Sequence, residues 1–336
     1  MNRFQKLAAA ALVSVLVLLF AGAIVRVTGA GLGCPDWPTC WGCLVPPWKV
    51  EQVDLSKLDF EKFREKAERL GRDPATVTPE SILKSFNARH VWTEYINRLL
   101  ALPVGLFSLA TMIAAFGRPP GQRIVWFSAF ASLVLVLVNA WMGAKVVYSG
   151  LKPGVLTTHM ALAMLLVALL AFTVWRGTDR PRRLGLDRTW RRRIGTGVAV
   201  LLGLVVVEGI MGTQIREMTD EMAKSHQGQP RSESIGELEQ TTVYLAHRSF
   251  SWVILGLTLL MFVLARKATG GGEGLAARVV LTMVLVQMVL GLIMSRIHIY
   301  AAVQVLHVGL AGVLLAGVVF WLCQACATRG GDPAGH

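Results

Sequence analysis

The chain has 336 residues, of which 54% are hydrophobic and only 16% charged, with a mean hydropathy of +0.52. That balance excludes an ordinary soluble domain, in which about a quarter of residues are charged. The formal net charge of +13 does not indicate nucleic acid, because Arg and Lys gather in short alternate loops between apolar runs.

Eight runs are each long enough to cross a hydrocarbon core of ~30 Å. They are expected at roughly 7–25, 91–116, 124–147, 155–175, 194–213, 243–265, 276–297 and 300–323. The fold class is therefore an all-α integral membrane protein. Arg3 and Lys6, Arg118 and Arg123, the basic run 176–193, Arg266, Lys267, Arg278 and Arg329 all fall on one side of such a bundle. The positive-inside rule then places both termini in the cytoplasm, and the bundle is expected in the cell inner (plasma) membrane. The stretch "RPRRLGLDRTWRRR" reads as a topology anchor on anionic lipid. Segment 1 also has signal-peptide features, with Arg3, Lys6 and Ala21-Gly22-Ala23.

The two long loops, about 26–90 and 214–242, lie on the opposite, outer side. Within the first, Leu58, Phe63, Ala67 and Leu70 approach helical spacing, and Thr78 followed by Pro79 marks an N-cap and first helical position. Two short helices are expected there.

The halves of the chain match each other. "GAIVR" ends segment 1 as "GTQIR" ends segment 5, and "EYINR" opens segment 2 as "YLAHR" opens segment 6. Asn139 precedes Gly143 by four residues, as Gln287 precedes Gly291; His159 follows Gly143 by 16 residues, as His307 follows Gly291. The expected architecture is two tandem four-helix bundles, and an even number of spans per unit makes the repeat parallel. The divisions are 1–175, a basic linker 176–193, 194–323, and a cytoplasmic tail 324–336. Because segment 1 corresponds to a genuine span, it is expected to be retained.

In the second unit His247 and His307 open spans that both enter from the outside. Two inward imidazoles at one depth on facing helices suit axial ligation of a haem iron. In the first unit His159 matches His307, whereas Asn97 stands where His247 stands. That half can offer one such ligand from the pair. Arg26, Arg98, Arg216 and Arg248 lie near outer span ends; guanidinium pairing with haem propionates and snorkelling to headgroups are equally open. Glu94 sits one turn before Asn97, either as a proton acceptor beside an open haem face or as the ion-pair partner of Arg98. Glu208 and Lys145 are each a proton-path group or half of a buried pair. His90 and His298 are expected at the outer interface, His226 in a loop and His336 in the tail.

Cys34, Cys40 and Cys43 lie together in "GCPDWPTCWGC" on the outer side, where an oxidising compartment favours a disulfide. Cys34 with Cys40 would close a short loop stiffened by Pro35 and Pro38, as a clip or an exchangeable redox pair; Cys43 is an alternative partner. Cys323 and Cys326 are expected as free thiols.

Five stretches, "RVTGAGLGCPDWPTCWG", "EYINR", "TTHMAL", "AHRSF" and "LHVGL", together resemble the haem A synthase family over nearly the whole chain. The resemblance implies oxidation of the C8 methyl of haem O to a formyl group through successive hydroxylations, supplying haem A to terminal oxidases. It implies a haem b held by His247 and His307, a substrate haem near His159, an acidic residue at Glu94 and an outer cysteine pair at Cys34 and Cys40. It also implies haem O, membrane lipid, a haem O synthase and an electron acceptor as partners, with self-association open. The chain departs from the family pattern at Asn97, where a histidine is usual. Two other functions fit the same residues: a haem b electron-transfer protein, and a haem-delivery or assembly factor without oxidase activity.

Overall fold

A computed structural model describes residues 1–69, 73–118, 122–179, 181–225, 236–297 and 299–327. Ten α-helices organise them: α1 (Arg3–Val27), α2 (Phe60–Arg69), α3 (Pro79–Lys84), α4 (Ala88–Ala115), α5 (Arg123–Tyr148), α6 (Val155–Arg176), α7 (Arg188–Ser225), α8 (Thr242–Ala268), α9 (Leu275–Arg296) and α10 (Ala301–Cys326). All but α2 and α3 are long and apolar enough to cross a membrane. These eight are the spans expected from hydropathy. The expected loop 214–242 begins later, because α7 continues as a polar helix to Ser225. At 38 residues, α7 runs to about 57 Å, well beyond a ~30 Å hydrocarbon core.

Local chemistry sets the helix starts. The Asn2 side chain accepts from the Gln5 amide to open α1, Asn87 accepts from His90 to open α4, and Thr241 accepts from Tyr244 to open α8. The two short outer helices form as expected, with Thr78 and Ser81 making a reciprocal capping box at α3.

The first four spans pack as a ring: α1 on α4, α4 on α5, α5 on α6, and α6 back on α1. The last four do the same, α7 on α8, α8 on α9, α9 on α10, and α10 on α7. The rings join where α1 and α6 meet α10 and where α6 meets α7. In lipid, apolar burial does not drive helices together, so close packing over small residues must. The seam has that character. A Cβ at Gly309 of α10 would fall 2.2 Å from the Phe20 ring of α1, one at Gly312 would fall 2.6 Å from Leu19, and one at Gly209 of α7 would fall 2.6 Å from Met164 of α6. Trp321 is fully buried in the shared core.

At the basic end of the bundle, where α1 begins, Arg118 hydrogen-bonds the Gly177 carbonyl and pairs with Asp179 at 3.0 Å, and Asn2 donates to the same two residues. The bonds from Arg118 and then Asn2 hold the Asp179 carboxyl below the usual carboxylate range. The Leu184 amide donates to the Gln324 carbonyl, tying the linker to the end of α10.

The opposite end carries a separate small core beneath the first long loop. Cys34, Cys40, Trp41, Leu58, Ile82 and Val91 are buried there, and Trp41 meets Phe86 edge-on at 5.1 Å. A Cβ at Gly33 would lie 2.3 Å from the His90 carbonyl oxygen, so the loop's backbone rests directly on the start of α4.

The Gly309 contact gives a stability test. Gly309→Val should lower the thermal midpoint of the detergent-solubilised protein through overpacking worth about 1–3 kcal/mol. Gly256→Ala, at an open position on α8, should leave it unchanged or slightly higher.

Candidate functional site

The four positions singled out by internal matching share one local arrangement. The ring of His247 on α8 lies against the bare backbone of α7, where a Cβ at Gly212 would be 3.5 Å from Cε1. The ring of His307 on α10 lies against Gly291 of α9 at 3.9 Å, and that of His159 on α6 against Gly143 of α5 at 3.6 Å. Asn97 on α4 faces Gly22 of α1, its Oδ1 4.0 Å from such a Cβ. An alanine methyl would just touch each side chain; anything longer would take its space.

His247 and His307 face each other. Their ring centroids are 6.5 Å apart with the planes at 76°. Two imidazoles bound through nitrogen to one metal, each at about 2.0 Å, place their centroids roughly 6 Å apart. Among the described residues no group of three or more His, Cys, Asp or Glu is arranged to hold a metal ion. A pair at this spacing suits a metal that brings its own equatorial ligands, as haem iron does. The Nδ1 atoms of His159, His247 and His307 are buried without an aligned hydrogen bond. Glu208 of α7 stands closest to one of them: its Oε1 is 3.3 Å from Nδ1 of His247 and accepts from Ser251 at 2.6 Å.

In the first ring Glu94 is buried, at 5% exposure, and its Oε1 accepts from Nε of Arg98 at 3.1 Å. The ion-pair alternative is therefore present. The rest of the Arg98 guanidinium is also committed. Nη1 donates to the carbonyls of Asp36 (2.7 Å) and Thr39 (2.9 Å), and Nη2 to that of Cys34 (3.1 Å). Arg98 thus fastens the cysteine loop to α4 while holding Glu94. The Asp36 carboxylate further pins the loop by accepting from the amides of Trp41 and Gly42 and from the Thr39 hydroxyl.

Cys34 and Cys40 form a disulfide, and Cys43, Cys323 and Cys326 are free. The sequence leaves a clip and an exchangeable redox pair both open; both cysteines are buried, at 0% and 1% exposure, which suits the clip. The bridge shares a small core with Trp41 and Val91, and the Val91 carbonyl is 3.7 Å from Sγ of Cys34.

Arg26 and Arg216 do not point to an open pocket. Asp220, on the extension of α7, bridges them, 2.7 Å from Arg26 and 3.1 Å from Arg216. Arg216 also donates to the Arg26 carbonyl. Beside them, Glu217 accepts from the amide and hydroxyl of Thr157 at the start of α6, a carboxylate at a positive helix end. Asp220 and Glu217 escape sequence reasoning because they lie in the stretch expected to be loop. Arg248 is exposed. Lys145, expected in a proton path or buried pair, is exposed instead and lies 5.5 Å from the Trp141 ring centroid. His90 is half-buried in the first turn of α4, whereas His226, His298 and His336 lie outside the described residues.

The family model COX15-CtaA, described as cytochrome oxidase assembly protein, matches residues 5–319. A protein named heme A synthase from Wolbachia pipientis wMel is 26% identical over 335 residues, spanning 93% of this chain and 90% of its own length. Another of that name, from Rhizorhabdus wittichii, is 29% identical over 338 residues, with 92% and 91% covered. One from Shewanella oneidensis is 24% identical over 332 residues, with 92% of each covered. With the match running through all eight spans, the chain belongs to the COX15-CtaA family of cytochrome oxidase assembly proteins.

Proposed function

We propose that this protein is a haem A synthase, an oxidoreductase that converts the C8 methyl of haem O to a formyl group. The observation that carries the reading is the His247–His307 pair, facing at 6.5 Å inside a bundle whose family assembles cytochrome oxidase. In this reading the bundle sits in the cell inner membrane with both termini cytoplasmic, consistent with the basic loops at one end.

His247 and His307 would hold a haem b, which supplies a one-electron couple when bound. The substrate, haem O, occupies the first ring, held from one side by His159. Asn97 offers a carboxamide where a second imidazole would stand, leaving that side open for water or substrate. Methyl plus one water gives formyl plus four protons and four electrons; the water enters at the side left open by Asn97, and Glu94 is the proton acceptor beside it. The pairing of Arg98 with Glu94 and the loop carbonyls makes it a positioning residue: it aims the carboxylate and closes the ring from outside. Arg248, which is exposed, is the arginine best placed to meet a propionate. Arg26 and Arg216, bridged by Asp220, join the two rings beneath the same surface. The electrons require an acceptor, the substrate requires a haem O synthase, and self-association remains compatible with the fold.

Expression in cells that make haem O, followed by chromatography of extracted haem, tests the reaction. Haem A or hydroxylated haem O is the expected product. Its absence alongside normal haem b binding would favour an electron-transfer or delivery role. Glu94→Gln should lower product formation by about 10²-fold or more while leaving the low-spin haem spectrum unchanged. His247→Ala should abolish that spectrum.

A further inference from the structure

Each of the three histidines faces a helix that carries a glycine at the ring and an oxygen-bearing side chain four residues earlier, one turn toward the basic end. For His247 these are Gly212 and Glu208; for His307, Gly291 and Gln287; for His159, Gly143 and Asn139. Gln287 contacts the His307 turn directly, donating to its carbonyl at 2.9 Å, and its Oε1 is buried without a partner. Asn139 likewise has a buried, unpartnered Oδ1. At the fourth position, where Asn97 replaces the imidazole, Gly22 is kept but the residue four before it is Leu18. The acceptor thus goes with the imidazole. Among the three, Glu208 alone carries charge.

We propose that Glu208 is the positioning residue of His247, taking the Nδ1–H so that Nε2 faces the metal. Its negative charge makes this ligand a stronger donor than its partner His307. The proposal rests on His247 being a haem ligand. The groups are within reach: Oε1 is 3.3 Å from Nδ1, which has no aligned hydrogen bond of its own, and Ser251, one turn after His247 on the same helix, donates to that oxygen at 2.6 Å. Gly212, one turn after Glu208, supplies the space that brings the ring against α7. Neither Glu208 nor His247 is fully withdrawn, with side-chain exposures of 16% and 21%. Carboxylate–histidine–metal arrangements fix the tautomer and raise ligand basicity, which favours the oxidised metal. The haem of the second ring is therefore held at a lower potential than a neutral acceptor would allow. That sets how readily it passes electrons onward.

The test is a spectroelectrochemical titration of the full-length protein purified with its haem. Glu208→Gln keeps an acceptor for Nδ1 but removes the charge. The low-spin spectrum should persist, with about a tenfold loss of preference for the ferric state, equivalent to a rise of about 59 mV for a one-electron couple. Ser251→Ala removes the hydroxyl that competes for Oε1 and should shift the potential downward; it also serves if Glu208→Gln fails to accumulate. Potentials unchanged in both variants, or moved in the reverse directions, would overturn the proposal. His247→Ala separates the two levels. If it loses the low-spin spectrum while Glu208→Gln leaves the potential unchanged, only the role of Glu208 fails. If it keeps the spectrum, the ligand assignment itself is wrong.

Discussion

The fold depends on side chains set against bare backbone. Four glycines, Gly22, Gly143, Gly212 and Gly291, each face a side chain capable of ligation or hydrogen bonding on the neighbouring helix. In lipid there is no bulk hydrophobic force to press helices around a polar ring, so the ring must be accommodated by shape. Removing the Cβ opposite it does this without breaking either helix. With their rings against Gly212 and Gly291, His247 and His307 face each other across the second bundle at a spacing that suits a metal between them.

A second constraint acts at the end of the bundle opposite the basic loops. Polar groups near the membrane are costly unless paired, and here the pairing also organises the architecture. Arg98 spends its donors on Glu94 and three loop carbonyls. Asp220 spends its carboxylate on Arg26 and Arg216, and Glu217 caps α6. The first contact closes the cysteine loop over one ring. The other two tie the extension of α7 to the first ring. Two polar clusters thus brace this end of the bundle, one under the cysteine loop and one where the extension of α7 meets α1 and α6.

Much of this was legible in the sequence. Eight apolar runs name their own spans, and Thr78 before Pro79 names its own cap, because these signals are local. His159, His247 and His307 were legible through internal matching, which converts spacing along the chain into equivalent depth in the bundle. What escaped was set by long-range pairing. Whether Arg98 meets a propionate or a loop depends on where residues 34–40 return, and nothing within a helical turn of Arg98 encodes that. Arg26 finds Asp220 across 194 positions. The polar continuation of α7 looked like a loop because it lacks the apolar pattern of a span; it is helical because its acids meet arginines and a helix start. The cysteine bridge was placed correctly, but its burial follows from packing with Trp41, Leu58, Ile82 and Val91, which come together only in the fold and could not be read from residue spacing.

In the function proposed above, the first ring is a haem seat that lacks the imidazole Asn97 replaces. The most direct test is to restore that ligand. Gly22 already leaves room, so Asn97→His, purified from cells supplying haem, should gain a second low-spin bis-imidazole signature in its electron paramagnetic resonance and optical spectra. A folded variant with wild-type spectra and unchanged haem content would contradict the claim that the first ring is a haem seat lacking one imidazole.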